Sequence, residues 1–292
     1  MRHSNHRDGT RHVRLRQPAS HREAPRAPGG GQVWIYGRHP VLAALANPER
    51  RVFRLMLTAE AAERSAAELS ALGRTLPGPE LVPRERISER LPPGAVHQGF
   101  LAAVAPLAEA ILEDVLARTG ERGVVVALDQ VTDPHNVGAI LRSAEAFGAA
   151  GVVVTERHAP EETGTLAKAA SGALERVPLV RVVNLVRALD QLKQAGFWIL
   201  GLDERAEKTL PEAGMSGRLV VVLGAEGEGL RRLTVERCDL LVRLPMKGAM
   251  PSLNVSNAAA ISLYELARDG VRPLDEVRQN LLNASPDSPQ PG

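Results

Sequence analysis

The sequence is poor in cysteine and in aromatic residues, and each shortage excludes a class of protein. Its 292 residues include one cysteine, Cys238, so no internal disulfide can form and a cysteine zinc site is implausible. This cysteine usage fits a reducing, cytoplasmic setting. Aromatic residues make up 3% of the chain, so the core must be built from Leu, Val and Ala. No apolar run is long enough to span a bilayer and the N-terminus lacks a signal-peptide core, which argues against a membrane partner.

Several catalytic motifs are missing as well. There is no G-x-x-x-x-G-K-[ST], which excludes a P-loop, and no H-E-x-x-H or Cys–His ligand set, so we expect no catalytic metal. The G-x-S-x-G nucleophile elbow is also absent. A dehydrogenase would place its glycine fingerprint after its first strand. The glycines here follow the fifth strand of the second domain instead, as G-x-x-G-x-G over residues 224–229.

Positive charge is concentrated at the N-terminus. Residues 1–31 hold seven Arg against Asp8 and Glu23, a net charge of +5, whereas the whole chain is +2 and the remainder therefore −3. With almost no large apolar side chains, this segment is predicted to be a disordered basic tail. An Arg-rich arm suits phosphate backbones, and a transit peptide is the weaker interpretation because no amphipathic apolar face is present. Residues 273–292 are predicted to be a second disordered end.

Between the tails the apolar pattern predicts two α/β domains. Residues 32–106 alternate strand, helix, strand, helix, strand, the size of a small module. Its candidate polar contacts are Tyr36, Arg38, His39, His97 and Gln98. Taken alone, each is better explained as a structural or merely exposed residue than as a functional one. Residues 107–122 form a predicted linker with one charged helical piece.

The second domain, residues 123–272, contains near-continuous apolar runs separated by helical patterns. The runs are VVVALD, GVVVTE, LVRVV, FWILGLD, LVVVLG and LLVRLP. Unalternating β-branched runs with intervening helices predict a parallel sheet covered on both faces. Ligands of such sheets bind beyond the carboxyl ends of the strands. That rule selects three polar loops, at 129–138, at 224–229 and within 241–266.

The third loop leads into a helix whose start is crowded with polar side chains. Ser252, Asn254, Ser256 and Asn257 lie within six positions, more than one helix cap needs. The helix beyond them is apolar on more than one face, so we expect it to be buried on several sides. A polar cluster at the start of a buried helix is a place to hold a ligand.

The other two loops add one carboxylate, one amide and one cation. Asn136 has a simpler explanation as a helix N-cap, Glu226 as a solvated acid, and Arg142 as a surface ion pair with Glu145. Taken together they offer a phosphate anchor and hydrogen bonds rather than a metal or a covalent nucleophile. Such a site suits group transfer to a hydroxyl of a nucleic acid.

Three segments resemble the motifs of one known family. They are DQVTDPHNVGAILRSAEAFG, VVVLGAEGEGLRRL and VRLPMKGAMPSLNVSNAAAISLYE, and they look like the motifs of the SpoU-type (TrmH-like) methyltransferases of the SPOUT superfamily. Members transfer methyl from S-adenosylmethionine to an RNA ribose 2′-oxygen. YGRHPVLAAL and AVHQGFLAAV resemble the RNA-binding module of the members that methylate a guanosine of bacterial 23S ribosomal RNA. The resemblance covers about residues 33–270 and departs from the motifs at Pro251 and Asn257.

The resemblance implies a fold and a cofactor site. The second domain would be α/β with a deep trefoil knot, an exception to the general absence of knots, and the first would be an L30e-like module. Gly224, Leu244 and Leu253 match cofactor contacts of the family. The chain would work as a homodimer whose site draws on both subunits.

The resemblance also implies residue roles. Arg142 would act near the hydroxyl, as a phosphate clamp and part of the proton path, because Arg is effectively never deprotonated in proteins. Asn136, Glu226, Ser252 and Asn254 would orient the ribose, Arg142 and S-adenosylmethionine. The predicted function is 2′-O-methylation of a guanosine in 23S ribosomal RNA. The alternatives are a tRNA 2′-O-methyltransferase of the same family and a non-catalytic RNA-binding protein of ribosome assembly.

Overall fold

The computed structural model describes residues 31–73, 75–157, 159–248 and 252–268. The predicted disordered tails lie outside these ranges, apart from Gly31 at the edge of the first, and so does the motif departure at Pro251. None of the helices in the described ranges has the length and apolar content needed to cross a bilayer.

The small module is built on a four-stranded sheet. Its elements in chain order are β1 (Val33–Tyr36), α1 (Arg38–Ala46), β2 (Val52–Leu57), α2 (Ala59–Arg64), α3 (Ala66–Ala71), β3 (Glu80–Leu81), α4 (Arg84–Ser88) and β4 (Phe100–Val104). The strands lie in the order β1-β4-β2-β3, with β4 antiparallel to both neighbours and β3 parallel to β2. The expected alternation of strands and helices is present, with β3 and α4 as additional short elements. The likeness to L30e stays a prediction.

The larger part of the chain forms a six-stranded sheet. After α5 (Leu112–Arg118), its elements are β5 (Gly123–Asp129), α6 (Pro134–Ala146), β6 (Gly151–Thr155), α7 (Gly164–Ala170), β7 (Leu179–Val182), α8 (Leu185–Gln194), β8 (Trp198–Leu202), β9 (Arg218–Gly224), α9 (Arg232–Val235), β10 (Leu240–Val242) and α10 (Val255–Ala267). The strand order is β10-β8-β9-β5-β6-β7, and all pairs are parallel. Each predicted apolar run forms a strand, so the predicted α/β parallel sheet is confirmed.

The sheet is buried on both faces because alternate residues of its strands enter different cores. In β5, Val126 and Leu128 pack into one hydrophobic cluster, whereas Val125 and Ala127 pack into another with α8. Neither face of such a strand meets water, which explains the unbroken β-branched runs in the sequence.

The register fixes which loops meet. β5 and β9 are paired along their whole length, so Asp129 lies opposite Gly224 where both strands end. β10 lies two places from β9, with β8 between them. The chain after β10 must therefore cross back before α10 packs against α6, β9 and β5. The deep trefoil knot stays a prediction.

The last helix differs from the expectation. The buried residues of α10 are Val255, Ala258, Ala259, Ser262 and Leu263. Their spacing of i, i+3, i+4, i+7 and i+8 makes one stripe, so the prediction of burial on several sides is wrong for a single chain. Ile261 and Tyr264 turn away from the stripe and remain 46% and 54% exposed. Asn257 lies on the exposed side, so this motif departure does not disturb the packing.

Candidate active site

The loop after β5 is shorter than the sequence suggested. Asp133 caps α6 by accepting a hydrogen bond from the His135 backbone N–H at 3.0 Å, and Pro134 occupies the first helical turn. The predicted loop 129–138 therefore ends at Asp133, and the N-cap explanation for Asn136 is wrong. Gly138 lies inside the helix, where an added Cβ would be 2.4 Å from the Ala169 Cβ of α7. A glycine is therefore required at this position because α6 and α7 pack closely.

The loop after β9 folds back on itself. The Gly229 backbone N–H donates to the Ala225 carbonyl at 2.9 Å, and Gly227 and Gly229 have φ of +84° and +70°. Glycine adopts such left-handed angles without the steric penalty of other residues. Gly224 is equally constrained, because a Cβ there would be 2.1 Å from the Gly229 carbonyl carbon. This tight turn presents Glu226 at its tip.

An ion pair fixes this loop to the first strand. Arg231 donates from its backbone N–H and from Nε to the two oxygens of Asp129, at 3.0 and 2.6 Å. Asp129 is fully buried, whereas the Arg231 side chain is 45% exposed. The pair therefore ties the ends of β5 and β9 together beside Glu226.

Asn136, Glu226 and Asn254 form a hydrogen-bonded cluster, here named the active-site network. Asn254 Nδ2 donates to Glu226 Oε1 at 2.6 Å and to Asn136 Oδ1 at 3.0 Å, and Asn136 Nδ2 donates to Glu226 Oε1 at 3.4 Å. Asn254 also caps α10, because its Oδ1 accepts from the Ser256 backbone N–H at 2.9 Å. The structure thus brings together one residue from each of the three segments that the sequence predicted as polar loops.

The network holds one carboxylate at the start of a 13-residue helix. Glu226 Oε1 also lies 3.4 Å from the Val255 backbone N–H, so its charge is placed at the positive end of α10. Within the described residues no donor bonds Glu226 Oε2. That oxygen is available to accept a hydrogen bond from a ligand.

Beside the network lies an open cavity of about 740 Å³. Six of the eight predicted site residues line it, namely Gly224, Glu226, Leu244, Ser252, Leu253 and Asn254. Leu202, Leu223 and Val255 add apolar surface. The predicted cofactor contacts and the predicted orienting residues therefore line the same cavity. Asn136 is hydrogen-bonded to two of these lining residues, Glu226 and Asn254.

One side of this cavity is formed by a loop that the sequence patterns did not single out. Residues 203–205, which follow β8, line it together with Arg243 and Met246. The rule that ligands bind beyond strand ends applies to β8 as well, so its DER sequence was an available signal. Three hydrogen bonds from Arg205 hold the pKa of the Asp203 carboxyl below its usual value. The lining holds four carboxylates against two arginines, so the cavity is suitable for a ligand with positively charged groups; these residues are Asp203, Glu204, Glu226 and Glu228 against Arg205 and Arg243.

Arg142 is not part of the active-site network. It lies six residues beyond Asn136 on α6, about 9 Å along the helix axis, and its side chain is exposed. The ion pair expected with Glu145 is absent, because Glu145 pairs with Arg176 instead. No other described residue forms a hydrogen bond or ion pair with Arg142. The explanation of Arg142 as a surface ion pair is therefore wrong.

The described residues offer no metal site. In the ranges that the structure covers, no group of three or more His, Cys, Asp or Glu side chains is placed to hold a metal ion.

Two family models match the chain along both of its sheets. The model described as "SpoU rRNA Methylase family" matches residues 123–264. The model described as "RNA 2'-O ribose methyltransferase substrate binding" matches residues 34–110.

Individual proteins are similar over most of the chain. The 23S rRNA (guanosine-2'-O-)-methyltransferases RlmB of Pseudomonas putida and Escherichia coli K12 are each 42% identical over 80% of this chain, covering 95% and 97% of their own lengths. Among solved structures, the SpoU methyltransferase AviRb of Streptomyces viridochromogenes, in complex with AdoMet, aligns with a TM-score of 0.68 at 26% identity. That alignment covers 82% of this chain and 91% of AviRb.

Proposed function

The chain belongs to the SpoU rRNA methylase family, and from that premise we propose that it methylates the ribose 2′-hydroxyl of a guanosine in 23S ribosomal RNA with S-adenosylmethionine. The observation that carries this proposal is the active-site network at the mouth of the cavity. Three residues from separate segments of the chain are held there by hydrogen bonds. A non-catalytic RNA-binding protein would have no use for this arrangement beside a cavity.

The cavity fits the cofactor. Its volume of about 740 Å³ lies within the range of small-molecule sites. We assign the apolar walls to Leu244 and Leu253, and the backbone contact to Gly224, which has no side chain to block an approach. Asp203 and Glu226 offset the positive charges of the ligand. When bound, S-adenosylmethionine supplies a methyl group on a cationic sulfur, which departs as a neutral thioether.

The active-site network orients the acceptor ribose. The ribose hydroxyl is weakly acidic and must lose its proton as the new bond forms. We assign Glu226, Asn136, Asn254 and Ser252 to hold the sugar in line with the methyl group. Because the hydrogen bonds among Glu226, Asn136 and Asn254 exist before the substrate binds, little reorganisation is needed during the reaction.

We assign RNA binding to the small module, residues 32–106, and catalysis to residues 123–272, with 107–122 as the connection. Arg142 would bind a substrate phosphate, since its guanidinium presents several donors in a planar fork. Ribosomal RNA is the substrate, so we place the enzyme in the cytoplasm.

We further propose that the active unit is a homodimer. Arg142 is exposed and lies outside the network of its own chain, whereas Ile261 and Tyr264 expose apolar surface on α10, the helix packed against α6. Phe147, just after α6, contacts the Tyr264 ring edge-on with 5.9 Å between ring centres. A second copy of the chain would cover this surface. Arg142 of one subunit would then lie at the cavity of the other.

A methylation assay on two RNA substrates tests the function. Purified protein with labelled S-adenosylmethionine is supplied with unmodified 23S ribosomal RNA and, separately, with unmodified tRNA. We expect label in 23S RNA at one guanosine, located by mapping 2′-O-methyl sites. Label in tRNA alone would assign the chain to the tRNA branch of the family. Failure to bind S-adenosylmethionine would identify a non-catalytic RNA-binding protein.

A further inference from the structure

A buried arginine joins the small module to the parallel-sheet domain. Arg50, which precedes β2, is 1% exposed. Its Nη2 pairs with Glu162 Oε1, its Nε donates to Glu175 Oε1 at 3.1 Å, and its Nη1 donates to the Ala105 carbonyl at 2.7 Å. Arg50 and Ala105 flank the small sheet, whereas both carboxylates belong to segments around α7 of the large domain. We name Arg50, Glu162 and Glu175 the junction network.

Every carboxylate oxygen of the junction network has a donor. Glu162 Oε2 accepts from the Leu107 backbone N–H and Glu175 Oε2 accepts from Asn47 Nδ2, each at 2.9 Å. The Glu162 and Glu175 side chains are only 17% and 4% exposed. Burying one cation with two anions is unfavourable unless the geometry satisfies all groups. An arrangement in which all oxygens are paired therefore favours one relative orientation of the two parts.

The two parts of the chain also approach each other closely at this junction. A Cβ added to Gly164 would be 2.5 Å from the Trp34 carbonyl oxygen, and one added to Gly37 would be 2.6 Å from Lys168 Nζ. A Cβ at Gly172 would be 2.9 Å from the Ala43 Cβ. Since the glycines lie on both sides, the two surfaces fit closely at three separate points.

Resting on the proposed function, we propose that Arg50 is a positioning residue that holds the RNA-binding module at one fixed orientation to the catalytic site, and so sets which ribose is methylated. The geometry explains how. Glu162 lies in the connection that leaves the carboxyl end of β6, and β6 neighbours β5, whose own end leads to the active-site network. The junction therefore anchors the module near the sheet edge where the reaction occurs. The distance between RNA bound to the module and the cavity is then fixed, so one ribose is presented to the active-site network.

The test compares two matched sets of substitutions. R50M alone would leave two buried carboxylates without a cation, so the main variant is R50M/E162Q/E175Q, which removes all three charges together. The control is R54M/E80Q. Arg54 and Glu80 form a bidentate pair at 2.9 and 2.7 Å within the small module, with side chains 41% and 43% exposed. Both variants lose one ion-paired arginine, but only the first affects the junction.

The first readout is orientation, which does not depend on activity. Spin labels at V96C and V183C, two exposed positions on the module and on the large domain, report the distance between them. Burial raises the pKa of the Cys238 thiol to about 12, so the native cysteine should stay unlabelled. In dimers with one labelled subunit, obtained by mixing with excess unlabelled protein, we expect one narrow distance distribution in the parent protein and in R54M/E80Q, and a broad one in R50M/E162Q/E175Q.

The second readout is methylation of 23S ribosomal RNA. For R50M/E162Q/E175Q we expect kcat/KM to fall on the order of tenfold to a hundredfold, mainly through KM, with unchanged affinity for S-adenosylmethionine. Mapping should also show methyl groups at neighbouring riboses. R50K keeps the charge but loses the planar fork, so it should show a smaller change, and it repeats the test if the triple variant does not fold.

Two results would overturn the proposal. One is a narrow distance distribution in the triple variant or, if that variant does not fold, in R50K. The other is an unchanged KM with an unchanged methylation site in the same variant. A parent protein that fails to methylate 23S ribosomal RNA would refute the proposed function instead, while the distance measurement would still decide whether the junction network fixes the module.

Discussion

At the residue scale, the cavity depends on the absence of a side chain at position 224. Gly224 ends β9, and an added Cβ would lie 2.1 Å from the Gly229 carbonyl carbon and 2.5 Å from the Leu230 nitrogen. These are backbone atoms, which move only if the whole turn that carries Glu226 moves. The glycine is thus a packing requirement that affects the position of a carboxylate two residues away.

Gly224→Ala should therefore weaken cofactor binding. We expect the Kd for S-adenosylmethionine to rise at least about tenfold, equivalent to about 1.4 kcal/mol, because the loop after β9 must shift. Calorimetric titration measures this change. Gly120→Ala is the matched control, since its added Cβ meets no atom within 4 Å. Equal affinity of the two variants for S-adenosylmethionine would contradict the prediction, because it would show that the loop after β9 can shift without weakening cofactor binding.

Arg142 provides a second prediction at this scale. In Arg142→Ala we expect methyl transfer to fall about a hundredfold while S-adenosylmethionine affinity is retained, because its proposed role is to bind RNA rather than the cofactor. Single-turnover kinetics with preformed enzyme–cofactor complex measure the loss. Arg187→Ala removes another exposed helical arginine as the control. Unchanged turnover in Arg142→Ala would remove this residue from the mechanism.

At the element scale, a tight turn before β4 contains a buried histidine. His97 is 2% exposed; its Nδ1 accepts from the Gly99 backbone N–H at 3.2 Å and its Nε2 lies 3.2 Å from Ser88 Oγ. Gln98 and Gly99 have φ of +57° and +82°. Burial lowers the pKa of His97, and the charges of Arg84 and Lys168 lower it further. The turn is therefore built around a neutral imidazole.

The small module should lose stability in mild acid. A depressed pKa means that this contribution is fully present above the ordinary histidine value of about 6.5 and is lost as pH falls through the folded-state pKa. The free energy of unfolding should decrease below pH 6.5 in the parent protein and decrease less in His97→Gln. Urea denaturation at several pH values measures both. His39→Gln, at an exposed position, should keep the parental slope; an equally steep slope in His97→Gln would contradict the prediction.

Helix α10 contains both buried and exposed apolar residues. Its buried stripe is rich in alanine, which allows close packing on α6, while Ile261 and Tyr264 point elsewhere. A helix with one satisfied face and a second exposed apolar surface is typical of an oligomer contact.

At the scale of the whole molecule, this surface predicts association. Tyr264→Glu should convert a dimer into monomers, because a charge would be buried without a partner in the interface. We expect the dimer Kd to rise at least about a hundredfold, near 3 kcal/mol, with a parallel loss of methylation. Sedimentation velocity at several concentrations measures it. Leu233→Glu, on α9 and 53% exposed, is the control. A fully active parent monomer would refute the dimer.

The sequence by itself determined the elements of the large sheet and pointed to three residues that the fold brings together. Each β-branched run became a parallel strand because neither of its faces is compatible with water. The polar loops at the ends of the first, fifth and sixth strands contained Asn136, Glu226 and Asn254, and those three residues do meet. Local composition is sufficient for such predictions, since it records which side chains are buried and which chain segments turn.

Only the tertiary structure decided how those segments combine. The hydrogen bonds of the active-site network span 28, 90 and 118 residues, so they depend on the strand order and on the crossing after β10. The same cause explains three further features: the loop after β8 lines the cavity, Glu145 pairs with Arg176 rather than with Arg142, and Arg50 is buried. Partners distant in sequence are chosen by the packing of whole elements, and no pattern within one segment specifies that choice.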